Sequence, residues 1–183
     1  MEYAIGMIKL PVEVNILRPR DIVKLSLIHE LREAEREVVR VVHMNSELYA
    51  THVCTAAIGS LMSTTMEGKD IFRDAVTQMF AGGVYVPLTK YLVMVHNHPA
   101  EKGAHPSRAD LECAMNVQGA GRVLTIPVLD SIIIATEDHY SMMEHGRTFV
   151  RSEFYRGSLA DFRTMKRRKT EKREVLWYPY VFR

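Results

Sequence analysis

Two histidines separated by a single residue, His96 and His98, are the part of this sequence best suited to chemistry. They follow a continuous apolar run at residues 91–95, which has the pattern of a buried strand. Side chains two positions apart in an extended chain lie on the same side, so both imidazoles could bind one cation. Pro99 then disfavours a helix and opens a loop at the end of the strand. The H-x-H pattern alone is weak evidence for a metal site, because exposed histidine pairs are common.

Asp110 could supply a carboxylate to the same site. It lies in the first turn of a helix that is predicted to begin at Ser107, so it can turn back over the end of the strand. Two neutral imidazoles and a carboxylate suit a first-row metal and leave the fourth tetrahedral position for water. The sequence SRAD also fits a capping box, with Ser107 as N-cap and Asp110 as its acidic partner. Taken alone, the capping role is the preferred interpretation of Asp110. Both roles are compatible for Ser107, whose backbone can begin the helix while its hydroxyl faces the metal.

Hydrophobic periodicity predicts the elements that would hold these side chains. Residues 21–36 form a helical stripe of apolar residues spaced three apart. A β-branched run at residues 38–44 and a second strand at residues 48–58 predict an antiparallel hairpin. The remaining predictions are helices at residues 68–79 and from Ser107 to residues 119–121, and strands at residues 91–95, 128–136 and 139–143. This order predicts one mixed α/β domain, in which helices flank a central sheet.

The bulk composition is that of an ordinary globular protein. The 183 residues suffice for one domain with a hydrophobic core, and 47% hydrophobic with 25% charged residues excludes a wholly disordered or fibrous chain. A net charge of +2 is too small to indicate nucleic-acid or membrane binding by bulk charge. No apolar run reaches the ~18 residues of a membrane span, and the N-terminus lacks a signal-peptide pattern. We therefore expect a soluble, cytoplasmic protein that does not bind membranes.

The combination of H-x-H, eight intervening residues and S-x-x-D resembles the JAMM motif of the JAB/MPN metalloprotease family. The closest resemblance is to the RadC-like JAB proteins of bacteria. It extends over the stretches REVVRVVHMNSELYA, VMVHNHPAEKGAHPSRADLE and LTIPVLDSIIIATEDHYSMME, which together span roughly residues 36–144. The resemblance implies a single JAB/MPN domain of the cytidine-deaminase-like α/β type.

The resemblance also implies a zinc site, with one Zn²⁺ per chain held by His96, His98 and Asp110. Ser107 would help to stabilise the oxyanion formed during hydrolysis. The remaining motif residue is a glutamate that enters the first core strand, and Glu37 fits that position, with Glu35 as the next candidate. Glu37 would act as general base and then as acid, taking a proton from the water at the metal and passing it to the leaving amine.

The chain departs from the family pattern directly after the histidines. Family members often carry a Ser-Gly pair after HNHP, whereas this chain has Ala100 and Glu101, and His105 stands where an uncharged residue is common. Neither change affects a predicted ligand, but both alter the rim of the cleft. About twenty residues precede the first predicted helix. We therefore expect no room for the helical segment that precedes the JAB domain in full-length RadC proteins.

Three functions remain open from the sequence. A zinc-dependent peptidase or isopeptidase would act on a protein or peptide, including a ubiquitin-like conjugate, as many JAMM enzymes do. A RadC-like accessory protein of DNA metabolism or mobile elements would act on or beside nucleic acid. A non-catalytic MPN scaffold is the third possibility, although such proteins generally lose motif residues and this chain keeps all of them. The sequence favours the hydrolase and leaves its substrate open.

A basic run follows the region of resemblance. Residues 163–173, RTMKRRKTEKR, hold seven basic residues and one acid. A solvated helix or tail is the usual explanation of such a run. The alternative hypothesis is contact with nucleic acid or an acidic partner through Lys166, Arg167, Arg168 and Lys169. The expected organisation is an N-terminal segment at residues 1–20, a JAB/MPN domain at residues 21–146 and a C-terminal extension at residues 147–183.

Overall fold

A computed structural model of the chain describes residues 7–59, 68–78 and 89–147. The elements in chain order are β1 (Met7–Asn15), α1 (Pro19–Val23), α2 (Ser26–His29), a 3₁₀ turn (Glu30–Glu33), β2 (Val38–Met44), β3 (Tyr49–Ile58), α3 (Gly68–Gln78), β4 (Tyr91–Asn97), α4 (Arg108–Leu124), β5 (Val128–Ile134) and β6 (His139–Ser141). The predicted hairpin of β2 and β3 and the mixed α/β architecture are confirmed. No helix within the described ranges is long and apolar enough to cross a membrane.

The six strands form one mixed sheet in the order β1-β3-β2-β4-β5-β6. Neighbouring strands are antiparallel except β4 and β5, which are parallel. Parallel neighbours need a crossover connection, and α4 supplies it. Strands β2, β4 and β5 are buried along their whole length. Their apolar sequences, VVRVVHM, YLVMVHN and VLDSIII, are therefore continuous rather than alternating.

The two faces of the sheet are covered by different helices. On one face, α3 and α4 pack against alternate residues of the central strands, which include Val39, Val41, Leu92 and Met94. On the other face, α1, α2 and the 3₁₀ turn pack against the intervening residues, which include Val38, Val42, Val93 and Val95. Any side chain in phase with Val39 and Met94 therefore points toward α3 and α4.

The single helix predicted at residues 21–36 is wrong in one respect, because the structure divides it into α1, α2 and a 3₁₀ turn. The backbone of Leu25 is extended, with ψ at 130°, and this separates α1 from α2. The four predicted apolar residues, Ile22, Leu25, Ile28 and Leu31, are all buried. They are buried from different elements: Ile22 from α1, Leu25 from the link, Ile28 from α2 and Leu31 from the 3₁₀ turn.

Strand β1 was not predicted from the sequence. It pairs with β3 and forms one edge of the sheet. Pro11 argues against a strand interior, but an edge strand tolerates proline because its outer N–H groups need no partner. The pairing of β1 with β3 is interrupted between Lys9 and Val14. Most side chains of this strand are exposed, so the alternating pattern of a half-buried strand is weak here.

Strand β6 is fastened to β5 by the buried carboxylate of Asp130. This carboxylate accepts hydrogen bonds from the Ser141 hydroxyl and from the backbone N–H groups of Ser131 and Met143. Burial raises the pKa of Asp130 to about 7, although the three hydrogen bonds oppose that rise. The network sets the position of the β5–β6 turn, which contacts the loop after the histidines.

Helix α4 continues past the glycines that were expected to end it. Its last residue is Leu124, and Thr125 follows in the left-handed conformation with φ at 58°. Gly121 persists inside the helix because there is no space for a side chain. A Cβ there would lie 2.7 Å from the Ile126 carbonyl oxygen and 3.3 Å from both Phe72 and Val128. The glycine lets α4 approach α3 and β5 closely.

We predict that Gly121→Ala lowers the free energy of unfolding by about 1–3 kcal/mol, because the new methyl group overpacks the junction of α3, α4 and β5. Gly119→Ala in the same helix is the matched control, since nothing lies within 4 Å of its added Cβ. That control should be neutral or should stabilise by up to about 1 kcal/mol through helix propensity. Urea denaturation of both variants measures the difference. Equal stability of the two proteins would contradict this packing.

Candidate metal centre

The imidazoles of His96 and His98 converge at the end of β4. His96 is the penultimate residue of the strand and His98 follows its last residue. Their Nε2 atoms lie 3.3 Å apart. His96 pairs with Val39 across the sheet, which places both histidines on the face covered by α3 and α4. The extended backbone therefore brings the two rings together on one side, as the spacing predicts.

Asp110 faces both histidines from the first turn of α4. One carboxylate oxygen lies 3.1 Å from His96 Nε2, and the other lies 3.4 Å from His98 Nε2. The second oxygen also accepts the Ser107 backbone N–H at 2.7 Å. Ser107 Oγ in turn accepts the Asp110 backbone N–H at 3.2 Å, which completes the capping box. The predicted capping role of Asp110 is thus confirmed, and the same carboxylate faces both imidazoles.

The donor atoms of His96, His98 and Asp110 lie close enough together to bind one metal ion. Ligands at about 2.0–2.1 Å from zinc form a tetrahedron with edges of about 3.3 Å. The two Nε2 atoms lie 3.3 Å apart, close to this edge, whereas the separations of 3.1 Å from His96 and 3.4 Å from His98 are to different oxygens of the Asp110 carboxylate. Within the described part of the chain, these three residues form the group of His, Cys, Asp or Glu side chains that could hold a metal ion. Two imidazoles and a carboxylate are also a donor set that zinc prefers.

Burial and charge at this group favour the binding of a cation. His96 and Asp110 are only 1% and 4% exposed, and His98 is 14% exposed. Burial alone would raise the pKa of the Asp110 carboxyl, but hydrogen bonds from His96 and His98 lower that pKa well below its ordinary value. The hydrogen bond to Asp110 in turn raises the pKa of His98. Asp110 is therefore ionised, and its negative charge stabilises positive charge near the two imidazole rings.

Comparison with known sequences places this arrangement in a family. A profile of the RadC-like JAB domain matches residues 16–147, which is most of the chain. The chain belongs to this family. The match covers every element from α1 to β6 and all residues of the candidate centre. The recognition of a RadC-like JAB protein from the HNHP and SRAD motifs is confirmed.

Several RadC-like relatives are curated as UPF0758 proteins. One from Chloroflexus aggregans is 31% identical over 134 residues, which are 73% of this chain and 54% of the relative. One from Caldanaerobacter subterraneus is 30% identical over 132 residues, or 72% of this chain and 52% of the relative. One from Salinibacter ruber is 32% identical over 116 residues, or 63% of this chain and 46% of the relative. The chain thus spans about half the length of these relatives.

The register of β2 and β4 places Glu37 beside the RadC-like motif. In this antiparallel pair Val39 lies opposite His96, so extension by two residues puts Glu37 opposite His98. Directly opposed residues of an antiparallel pair point to the same face of the sheet. Glu37 is half-buried and its backbone oxygen accepts the Gly59 N–H. In the sequence alone, only the position relative to the predicted strand β2 favours Glu37 over Glu35.

The thiol of Cys113 gives a second indication of where Glu37 lies. Cys113 is on α4, one turn after Asp110. Burial and, to a smaller extent, the carboxylates of Asp110 and Glu37 together raise the pKa of this thiol to about 11. Both carboxylates are thus close enough to act on one side chain of α4.

Ser107 lies at the exposed rim of the same centre. Its hydroxyl oxygen accepts the N–H of Asp110, and accepting this bond does not use the hydroxyl hydrogen. That hydrogen can therefore donate to an oxygen at the rim. The predicted role of Ser107 as the N-cap of α4 is confirmed, and the orientation of its hydroxyl toward a metal stays a prediction.

Asn97 was missed by the sequence analysis. It lies between the two histidines and points to the opposite face of β4, where it is 1% exposed. Its side-chain oxygen accepts the Val38 N–H at 2.8 Å, and its amide nitrogen donates to the Arg36 carbonyl at 3.0 Å. These two bonds hold the backbone on both sides of Glu37. A polar residue inside a buried strand was the available signal, since such a group needs buried partners.

The basic run lies outside the described residues. The contact proposed for Lys166, Arg167, Arg168 and Lys169 therefore stays a prediction from the sequence, as does the boundary of the C-terminal extension.

We predict that Asn97→Ala lowers the free energy of unfolding by about 1–3 kcal/mol and removes the exchange protection of the Val38 amide, because that buried N–H loses its acceptor. Asn45→Ala is the control. Asn45 also hydrogen-bonds to the backbone, because its side-chain oxygen accepts the N–H groups of Glu47 and Tyr49. These bonds lie in the turn at the other end of β2. Hydrogen exchange followed by mass spectrometry or NMR tests both variants. Normal Val38 protection in Asn97→Ala would show that Asn97 does not hold this segment.

Proposed function

We propose that this protein is a zinc-dependent hydrolase of the JAMM type that cleaves a peptide or isopeptide bond. The observation that carries the proposal is the convergence of His96, His98 and the Asp110 carboxylate, with separations of 3.1–3.4 Å, at the end of the strand that pairs with β2, which Glu37 directly precedes. Membership of the RadC-like JAB family supports it, because that resemblance implies the same ligand set. The substrate we propose is a protein or peptide in the cytoplasm, including a ubiquitin-like conjugate.

In this proposal His96, His98 and Asp110 hold one Zn²⁺ per chain. When bound, zinc supplies a Lewis acid that polarises a carbonyl oxygen and makes an attacking water more acidic. The ionised Asp110 balances part of the metal charge, and its bond from the Ser107 N–H fixes its orientation. The burial of His96 and Asp110 keeps competing water away from the side of the site that faces the core.

Glu37 performs the proton transfers. A carboxylate oxygen of Glu37 accepts a proton from the attacking water and then donates it to the nitrogen of the leaving amine. Positioned acid–base groups of this kind contribute about 10²- to 10⁴-fold in rate. The Ser107 hydroxyl donates a hydrogen bond to the oxygen on which negative charge develops. Asn97 holds the backbone of Arg36 and Val38, which keeps Glu37 at its place opposite His98.

A second candidate function is that of a RadC-like accessory protein that acts beside nucleic acid. The basic run at residues 163–173 favours it, because clustered lysines and arginines suit phosphate backbones. Salt-dependent binding to generic DNA is required by this function and not by the hydrolase. A scaffold role is less well supported, since the chain keeps the complete set of motif residues.

We predict that Glu37→Gln lowers the rate of metal-dependent hydrolysis by about 10²-fold or more, because the amide cannot accept the proton. Zinc content and fold should persist. Glu35→Gln is the matched control and should keep wild-type turnover. The assay follows cleavage of peptides and of isopeptide-linked ubiquitin-like conjugates by the purified chain, with and without a zinc chelator. Chelation should remove turnover in wild type and in the control alike.

Two results would count against this mechanism. Full activity of Glu37→Gln would remove Glu37 from the reaction, and equal loss in Glu35→Gln would show that the choice between them is wrong. Zinc-loaded wild type that cleaves no substrate but binds DNA in a salt-dependent manner would favour the accessory function.

A further inference from the structure

The side chain of Glu101 contacts the ring of His98 on the side away from the metal centre. Glu101 Oε2 lies 3.3 Å from His98 Nδ1, while His98 Nε2 faces Asp110. Each of the two nitrogens of this imidazole therefore lies next to a different carboxylate. Glu101 stands in the place where family members often have the second residue of a Ser-Gly pair, so the contact depends on a residue that departs from that pattern.

The backbone around Glu101 directs its side chain toward His98. Ala100 has φ at 60°, in the left-handed region, and this reverses the chain directly after Pro99. The Glu101 N–H then donates to the His98 carbonyl. The Glu101 carbonyl accepts the Thr136 N–H at 2.9 Å, which ties the loop to the β5–β6 turn. The position of Glu101 is thus set by backbone contacts that do not involve its carboxylate.

The β5–β6 turn is itself anchored by Arg32. The guanidinium of Arg32 donates to the carbonyls of Ala135 at 2.6 Å, Thr136 at 3.1 Å and Asp138 at 3.2 Å. The 3₁₀ turn that carries Arg32 belongs to the layer on the other face of the sheet. The loop with Glu101 is therefore supported by the body of the domain, although the Glu101 side chain is 59% exposed.

An imidazole that binds a metal through one nitrogen is normally held through the other. A carboxylate that accepts the Nδ1–H fixes the tautomer with a free Nε2 lone pair and orients the ring. Glu101 is placed to do this for His98. The corresponding atom of His96, Nδ1, is buried and has no hydrogen-bond partner within the described part of the chain. Among the two histidines, side-chain support of this kind is thus specific to His98.

We propose that Glu101 is a positioning residue of the metal centre, which holds His98 with Nε2 directed at the ion. This inference rests on the proposed metal site but concerns a residue outside its ligand set. In this inference, the glutamate that departs from the Ser-Gly pattern serves to orient the ring of His98. Loss of such a partner typically weakens metal binding 10- to 100-fold, and the exposure of Glu101 places the expected effect near the lower limit, at about tenfold.

The test measures Zn²⁺ affinity of the full chain by competition with a chromophoric chelator, together with the absorption spectrum of the Co²⁺-loaded protein. Glu101→Ala should bind Zn²⁺ about tenfold more weakly than wild type and should change the Co²⁺ ligand-field bands. Glu101→Gln should recover most of the affinity, because its amide oxygen still accepts the Nδ1–H. Glu137→Gln is the matched control and should behave as wild type. It neutralises an exposed glutamate of the adjacent turn whose carboxylate lies 3.9 Å from Lys102.

The outcomes separate this inference from the proposed function. If Glu101→Ala matched wild type in affinity and spectrum, the positioning role would be overturned and the metal site would stand. If Glu101→Gln and Glu101→Ala were equally impaired, the hydrogen bond would not be the cause and the inference would also fail. If wild type bound no Zn²⁺, both proposals would fall. Thermal unfolding of the metal-free proteins checks that the variants remain folded.

Discussion

The candidate site depends on one shared carboxylate, that of Asp110. It accepts the backbone N–H of Ser107 at the start of α4 and faces the Nε2 atoms of His96 and His98 at the end of β4. A cap normally satisfies an orphan donor and contributes about 1 kcal/mol. Here the same group also fixes where the helix begins relative to the strand, because it cannot cap α4 without approaching the two rings. The N-terminal cap of α4 and the geometry of the candidate site therefore depend on the same carboxylate.

The second constraint is the register between β2 and β4. Pairing of Val39 with His96 places Glu37 opposite His98 and on the face that α4 covers. A slip by one residue would move Glu37 to the other face, beside α1 and α2. Asn97 opposes such a slip, because its side chain binds backbone atoms of Arg36 and Val38 across the strand pair. The H-N-H sequence thus directs two side chains to the site and one to the segment that holds its acid–base candidate.

Much of the fold could be predicted from the sequence because its central strands are continuous β-branched runs and α3 and α4 have clear caps or periodicity. The errors have physical causes. A spacing of three in Ile22, Leu25 and Ile28 was assigned to one α-helix, although the extended backbone at Leu25 divides it into two short helices. Strand β1 is exposed and contains Pro11, so its pattern is weak. The proximity of His96, His98 and Asp110 was predictable from spacing, whereas the contact of Glu101 with His98 requires the left-handed turn at Ala100. No rule of spacing encodes that turn.

The proposed hydrolase and an inert scaffold differ in whether the protein binds a metal ion, which can be measured. A scaffold needs only the capping role of the Asp110 carboxylate, whereas the proposed hydrolase also needs this carboxylate and both imidazoles to bind a cation. Elemental analysis of the purified wild type beside Asp110→Ala, under non-chelating conditions, tests this directly. We predict about one zinc per wild-type chain and its loss in a folded Asp110→Ala protein. Wild type without zinc, or a variant that retains it, would contradict the assignment of this cluster as a metal centre.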